Sequence, residues 1–74
     1  MANVEPNHTY AVTEIVGTSP EGVEAAIQSG LDRAAGTLRN LDWFEVTEIR
    51  GHLGAGDGRV QHYQVTMKVG FRYE

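Results

Sequence analysis

The sequence of 74 residues contains no cysteine. This excludes disulfide bonds and zinc sites held by thiolates, the two devices that stabilise many chains of this length. A hydrophobic core of this size rarely contributes more than about 3–5 kcal/mol of stability by itself. We therefore predict that one face of the folded chain is completed by neighbouring subunits.

Positive charge is also sparse, because six Lys and Arg residues are scattered along a chain of net charge −4. A nucleic-acid surface needs clustered cations that displace counterions from phosphates, so we expect no nucleic-acid partner. No apolar run approaches the roughly 20 residues that cross a bilayer, and the first residues lack the apolar centre of a signal peptide. The expected location is the cytoplasm, without a membrane partner.

The groups that commonly carry catalysis are missing as well. There is no cysteine nucleophile and no Gly-x-Ser-x-Gly turn, and Glu14, Glu45 and Glu48 are explained as charges on strand surfaces. The segment Gly54–Gly58 lacks the lysine and hydroxyl residue that end a phosphate-binding loop. We predict that the chain is not an enzyme.

Hydrophobic patterning divides the chain into a tail and one domain. Residues 1–8 carry polar residues and one proline and show no period, which predicts a flexible tail, and residues 9–74 are expected to form the domain. β-forming residues from Tyr10 to Val16 predict a first strand.

A helix is predicted from Pro20 to about Asn40, because Ser19 and Pro20 are typical of a helix start. Its apolar residues recur at spacings of three and four and are expected to pack on the sheet as one stripe: Val23, Ile27, Leu31, Ala34, Leu38 and Leu41. Small residues keep other parts of the helix thin and would permit close approach: Ala26, Gly30, Ala35 and Gly36.

Two further strands and a hairpin follow the helix. Strand 2 begins near Trp43, and a change of apolar phase along it predicts a β-bulge near Thr47-Glu48. Gly54–Gly58 is predicted to be the hairpin loop. Apolar and polar residues alternate along strand 3. The apolar set is expected to cover the helix: Tyr63, Val65, Met67, Val69, Phe71 and Tyr73. The other face carries the polar set: His62, Gln64, Thr66, Lys68, Gly70 and Arg72. The fold class is α+β, with the order β-α-β-β.

Trp43, the single tryptophan, lies at the junction between helix and strand 2. One reading is that it packs in a core or a subunit interface, as aromatic residues commonly do. The other is that its π-face serves as a platform for a flat heterocycle. Gln64, on the polar face of strand 3, offers an amide donor and acceptor that match an imide-like ring edge, although a solvated glutamine is the simpler interpretation.

Arg50 and His52 share one phase of strand 2, and His62 lies near the same hairpin. Two imidazoles could therefore approach one another. Neither a cysteine nor a third histidine joins them, and the sequence does not fix the cross-strand register. A metal site at this pair is conceivable, but no metal ligand is predicted.

Several segments together resemble one known family. They are Glu14-Ile15-Val16-Gly17-Thr18-Ser19, Ala25-Ala26-Ile27-Gln28, Leu41-Asp42-Trp43-Phe44-Glu45-Val46, Ile49-Arg50-Gly51 and Val69-Gly70-Phe71-Arg72. In this order, with the single tryptophan in that context, they resemble the dodecins. The likeness extends from about His8 to Glu74.

The resemblance implies a hollow homo-dodecamer of β-α-β-β subunits, in which a three-stranded antiparallel sheet wraps around one helix. It also implies flavins, FMN or a riboflavin-type ligand, bound in stacked pairs between symmetry-related tryptophans at the position of Trp43. Gln64 falls where the family contacts the flavin ring edge, and Arg50 falls near the same pocket. Arg33 and Arg72 occupy positions suited to the phosphates of coenzyme A, which some bacterial members hold.

The function that this resemblance implies is flavin storage, buffering and photoprotection, in which the indole quenches the excited flavin. Two alternatives stay open at the level of sequence. One is a flavin-dependent electron-transfer or reductase partner, and the other is a purely structural oligomeric module in which Trp43 only packs.

Overall fold

The computed structural model describes residues 7–73. One helix and three strands follow each other along the chain: β1 (Tyr10–Ser19), α1 (Val23–Ala35), β2 (Leu41–Leu53) and β3 (Val60–Arg72). The strands form one antiparallel sheet in the order β1-β3-β2, so β3 is central. The predicted α+β class and β-α-β-β order are confirmed. Residues 1–6 of the predicted tail lie outside the described residues, and the division of the chain at residue 8 stays a prediction.

The inner face of β3 forms the centre of the core. Val65, Met67 and Val69 are each no more than 1% exposed, and the Met67 methyl group lies against Gly30 of α1. The alternation predicted this face correctly at its centre, because side chains of a strand point alternately to its two faces. At the ends of the predicted set, Tyr63 and Phe71 are half-buried and Tyr73 is exposed.

The predicted bounds of the helix are wrong at both ends. Ser19 is the last residue of β1, and its Oγ accepts the backbone N–H of Glu21 at 3.1 Å, which stabilises the turn before the helix. Gly22 takes the N-cap position of α1. At the other end the helix stops at Ala35, where glycine and a β-branched threonine of low helix propensity follow. Asn40, with a φ of 61°, then turns the chain into β2.

The helix packs on the sheet through small residues. Ala26, Gly30 and Ala34 are its buried positions, whereas of the predicted apolar stripe only Ala34 is buried. The reason is the close approach of β1, because a Cβ atom at Gly17 would overlap the carbonyl oxygen of Ala26. Helix and strand backbones meet where neither carries a large side chain, and the longer apolar residues lie beside that contact.

β2 extends beyond the cover of the helix, since α1 packs mainly against β1 and β3. A cleft of about 240 Å³ opens between α1 and the start of β2, with Leu31 on one wall and Phe44 on the other. Phe44, Ile49 and Leu53 are 45%, 58% and 61% exposed. Apolar side chains exposed to this extent along one strand favour burial against another protein surface.

The bulge and the hairpin occur where the sequence predicts them. The register of β2 against β3 shifts between Val46 and Glu48, which leaves Thr47 as the extra residue. The loop between the two strands is closed by a hydrogen bond from the Gly54 N–H to the Arg59 carbonyl at 2.8 Å. Among the described residues, no helix is long and apolar enough to cross a membrane.

Candidate functional site

The face of the sheet turned away from α1, which we call the outer face, carries the polar residues of β3. Residues directly opposite in neighbouring strands share a face, so the register orders the outer face into rows. From one end to the other these rows are Tyr10–Arg72, Val12–Gly70–Trp43, Glu14–Lys68–Glu45, Val16–Thr66–Glu48, Thr18–Gln64–Arg50 and His62–His52. Trp43, Arg50, Gln64 and Arg72, all selected from the sequence, therefore lie on this one face.

The Trp43 indole rests on the backbone of Gly70, the residue directly opposite it in β3. A Cβ atom built at Gly70 would overlap three consecutively bonded atoms of the fused rings, so this position lies under the face of the indole rather than beside its edge. Gly70 is buried, whereas Trp43 is 41% exposed. One face of the indole is thus held against the sheet, and much of the ring remains accessible.

Tyr10 and Asp42 support the tryptophan from the edge of the sheet. The ring centroids of Tyr10 and Trp43 are 6.1 Å apart with an interplanar angle of 51°. The Tyr10 hydroxyl donates to Oδ2 of Asp42 at 2.8 Å, and this hydrogen bond is the largest cause that raises the pKa of Tyr10 above its ordinary value. The raised pKa keeps the phenol a neutral donor beside the indole to more alkaline pH than usual.

A polar network surrounds Gln64, three rows from Trp43. Arg50 Nη2 donates to Glu48 Oε1 at 2.6 Å and to Thr66 Oγ1 at 3.0 Å, while its Nη1 lies 3.4 Å from Gln64 Oε1. Gln64 Nε2 lies 3.5 Å from Thr18 Oγ1. The short contacts fix the guanidinium group. The long contacts hold the Gln64 amide only weakly, because hydrogen bonds lose strength at such distances.

Trp43 and Gln64 are not brought together within one subunit. Trp43 lies opposite Gly70, and Gln64 is six residues away along β3, which corresponds to about 20 Å of extended strand. Any site that uses both side chains on one small ligand must therefore take them from two subunits. The sequence could not reveal this separation, because it depends on the register of β2 against β3.

Arg33 and Arg72 also lie apart. Arg33 belongs to the last turn of α1, on one side of the sheet, whereas Arg72 ends β3 on the outer face opposite Tyr10. Their predicted common role in holding coenzyme A stays a prediction, and one subunit alone does not place them around one ligand.

The two histidines of the hairpin do meet. His52 and His62 are direct cross-strand partners, and their ring centroids lie 5.0 Å apart. The predicted approach of the imidazoles is confirmed. No group of three or more His, Cys, Asp or Glu side chains that could hold a metal ion occurs within residues 7–73.

Sequence reasoning missed the supporting residues Tyr10 and Asp42. The sequence pattern predicts only a strand at Tyr10. Its proximity to Trp43 depends on β3 lying between β1 and β2, with Gly70 between the two aromatic residues. The signal that could have found this arrangement is Gly70, the small residue among the larger ones on the polar face of β3.

Comparisons with known proteins identify the family to which this fold belongs. The family model described as Dodecin matches residues 9–74. The chain belongs to the dodecin family. A dodecin from Thermus thermophilus is 60% identical over 65 residues, which cover 88% of this chain and 91% of the relative.

Solved dodecin structures have the same fold. The dodecin from Streptomyces davaonensis is 66% identical, with a TM-score of 0.84 over 92% of this chain and 97% of the other. The dodecin from Streptomyces coelicolor is 57% identical, with a TM-score of 0.84 over 95% and 97%. The resemblance drawn from the sequence motifs is confirmed. Dodecins are small binding proteins, so the chain is assigned to a family of binding proteins rather than to a family of enzymes.

Proposed function

We propose that this dodecin binds flavins, FMN or a riboflavin-type ligand, in stacked pairs between the Trp43 residues of two subunits, and that it stores, buffers and photoprotects them. The observation that carries the proposal is the Trp43 indole held face-on against Gly70. An indole fixed on one side and accessible on the other presents a preorganised flat surface. Such a surface contributes about 1–3 kcal/mol for each stacked heterocycle.

A complete site requires assembly in this proposal. Each subunit supplies one indole, and a twofold axis would place two of them on opposite sides of a flavin pair. The small core and the exposed apolar residues of β2 support assembly, for which we propose the homo-dodecamer of the family. Light scattering should report a particle of about twelve subunits, and a stable folded monomer at micromolar concentration would contradict the proposal.

Gln64 and Arg50 supply the polar half of the site. The Gln64 amide has a donor and an acceptor in one plane, which suits the imide-like edge of an isoalloxazine ring. Because about 20 Å of β3 separates this amide from the Trp43 row, Gln64 would reach a flavin stacked on another subunit's tryptophan. Arg50 is fixed by Glu48 and Thr66. It holds the Gln64 amide only weakly, at 3.4 Å, so the amide can turn toward a ligand, and the guanidinium places a permanent positive charge near the ring edge.

Photoprotection follows from the contact between indole and flavin. An electron-rich indole in van der Waals contact can transfer an electron to the excited flavin, and return of that electron regenerates both ground states. Light energy is lost without a net reaction, and no substrate is converted. We therefore also propose that the chain is not an enzyme. We further propose that it acts in the cytoplasm.

The test is a titration of FMN with the apo-protein, followed by flavin fluorescence. Binding should extinguish the emission, and Trp43→Ala should bind far more weakly. Trp43→Phe separates stacking from quenching, since a phenyl ring still stacks but is a poorer electron donor. Tyr73→Ala is the matched control, because it removes an aromatic ring that is 64% exposed and lies just beyond the last residue of β3. Unchanged affinity in Trp43→Ala would refute the stacking role.

The purified holo-protein also tests the competing redox function. Sustained oxidation of NADH well above the rate with free flavin would show a reductase or electron-transfer role instead. A colourless preparation that fails to bind added flavin would favour a purely structural module.

Coenzyme A is the second ligand in the proposal, with Arg33 and Arg72 as contacts for its phosphates. Because these arginines lie on different sides of the sheet, they would act from different subunits or on different phosphates. Calorimetric titration with coenzyme A should show weaker binding for Arg33→Ala and Arg72→Ala than for the control Arg39→Ala. Equal affinities in all three variants would remove this part of the proposal.

A further inference from the structure

The His52–His62 pair lies at the hairpin end of the outer face and has no part in the proposed flavin site. The two residues are direct cross-strand partners, with ring centroids 5.0 Å apart and an interplanar angle of 33°. From this geometry we infer that the pair is a binding site for a divalent transition-metal ion, one per subunit. The expected order of affinity is Cu²⁺ first, then Ni²⁺ and Zn²⁺.

The separation of the rings is compatible with joint coordination of one ion when each ring turns one nitrogen toward it. An imidazole nitrogen binds such an ion at about 2.0–2.1 Å, which places the ring centroid about 3.2 Å from the metal. Two centroids that are 5.0 Å apart then subtend an angle of about 100° at the ion. Adjacent ligands in the tetragonal sites preferred by Cu²⁺ and Ni²⁺ subtend about 90°, and ligands in the tetrahedral sites of Zn²⁺ subtend about 109°. The angle of about 100° lies between these values, so the pair suits either geometry.

The backbone under the pair is constrained before any ion binds. His52 and His62 belong to paired strands, and the loop that joins these strands is closed by the hydrogen bond from Gly54 to Arg59. The Asp57 carboxylate accepts a further N–H, that of Arg59, at 2.9 Å. Two ligands that already lie side by side bind an ion more tightly than either alone, because the second contact is intramolecular.

The surroundings allow a cation to approach. The nearest row carries Arg50, but its charge is paired with Glu48 at 2.6 Å, and the net charge of the chain is −4. His52 is exposed and His62 is half-buried, so the open side of the site faces solvent.

Two imidazoles leave the remaining coordination positions to water, because residues 7–73 contain no cluster of three possible ligands. Affinity should therefore be moderate and follow the general order for divalent ions, in which Cu²⁺ exceeds Ni²⁺ and Zn²⁺. Mg²⁺ should not bind, since it demands oxygen ligands. The sequence left a metal site at this pair conceivable without predicting it, because no cysteine or third histidine joins the pair and the cross-strand register was not fixed.

The test uses the full-length, untagged, assembled protein and calorimetric titration with Ni²⁺, Zn²⁺ and Mg²⁺. Ni²⁺ and Zn²⁺ should bind at about one ion per subunit, and Mg²⁺ should not. His52→Ala and His62→Ala should each weaken Ni²⁺ binding by about tenfold or more, through loss of the intramolecular second contact. His8→Ala is the matched control, because His8 lies beside Tyr10 at the other end of the outer face, and it should leave the affinity unchanged.

Electron paramagnetic resonance of bound Cu²⁺ provides a readout that does not depend on the variants. The wild-type protein should show hyperfine coupling to imidazole nitrogens from two ligands, and His52→Ala should show one. Absence of saturable Ni²⁺ binding, an equal loss of affinity in His8→Ala, or a Cu²⁺ spectrum without two nitrogen ligands would overturn the inference. The affinity for flavin should be the same with and without Ni²⁺. An absence of metal binding and an absence of flavin binding would therefore be separate results.

Discussion

Replacing Gly70 with alanine tests whether the tryptophan platform depends on its support. The new Cβ atom would overlap the Trp43 indole, while Gly70 has no left-handed backbone angle that would strain an alanine. The indole must therefore tilt or move outward, and the flat surface offered to a ligand is lost. The stacking at risk is about 1–3 kcal/mol, so we expect the Kd for FMN to rise by about 5- to 150-fold.

The assay is the FMN fluorescence titration, with light scattering and circular dichroism to establish that the variant is folded and assembled. Gly51→Ala is the matched control in the neighbouring strand β2, since a Cβ there would meet its nearest atoms only at 3.7 and 3.8 Å. In a Trp43→Ala background, Gly70→Ala should have no further effect, because the overlapping group is gone. An unchanged FMN affinity in folded Gly70→Ala, or an equal loss in Gly51→Ala, would refute the reasoning.

Three further variants probe the rest of the subunit. Gly17→Ala should lower the free energy of unfolding by about 1–3 kcal/mol through overlap with the Ala26 carbonyl, and a thermal melt at the wild-type midpoint would contradict this. Gln64→Leu should weaken FMN binding by about 2- to 12-fold through loss of about 0.5–1.5 kcal/mol of hydrogen bonding, with quenching of bound flavin unchanged; full affinity would remove Gln64 from the site. The pKa of Tyr10 is raised above its ordinary value of 10.0, mainly by the hydrogen bond to Asp42. The Tyr10–Asp42 interaction therefore stabilises the fold fully at pH values below the ordinary pKa, and this stabilisation is lost as the pH rises through the raised pKa. Tyr10→Phe should remove this alkaline dependence, and identical melting profiles of both proteins above pH 10 would contradict the assignment.

Local patterns predicted the strands and the loop well. The alternation along β3 identified Val65, Met67 and Val69 as buried, and the change of phase in β2 located the bulge at Thr47. The glycine-rich segment after Leu53 gave the hairpin. Each of these features is set by neighbours along the chain or by the side-chain period of a strand, so the sequence contains the information.

The helix shows where such reasoning fails. Ser19 and Pro20 are good helix-start residues by local preference, but Ser19 extends the pairing of β1 with Tyr63 instead. The apolar stripe of α1 was expected to form the contact, yet Ala26 and Gly30 meet the sheet because Gly17 lets the backbones approach. Both outcomes depend on a partner more than five residues distant in sequence, which local propensity does not contain.

Local periods and contiguous motifs in the sequence are enough to predict the class of fold, the family, and Trp43 and Gln64 as candidate ligand residues. What these residues can do depends on how the chain folds. The β1-β3-β2 order places Tyr10 and Gly70 around Trp43, and the register separates Trp43 from Gln64 by six residues of β3 while it pairs His52 with His62. Register is a long-range property fixed by the packing of one sheet face. It makes the proposed flavin site a feature of two subunits, whereas the histidine pair lies within one.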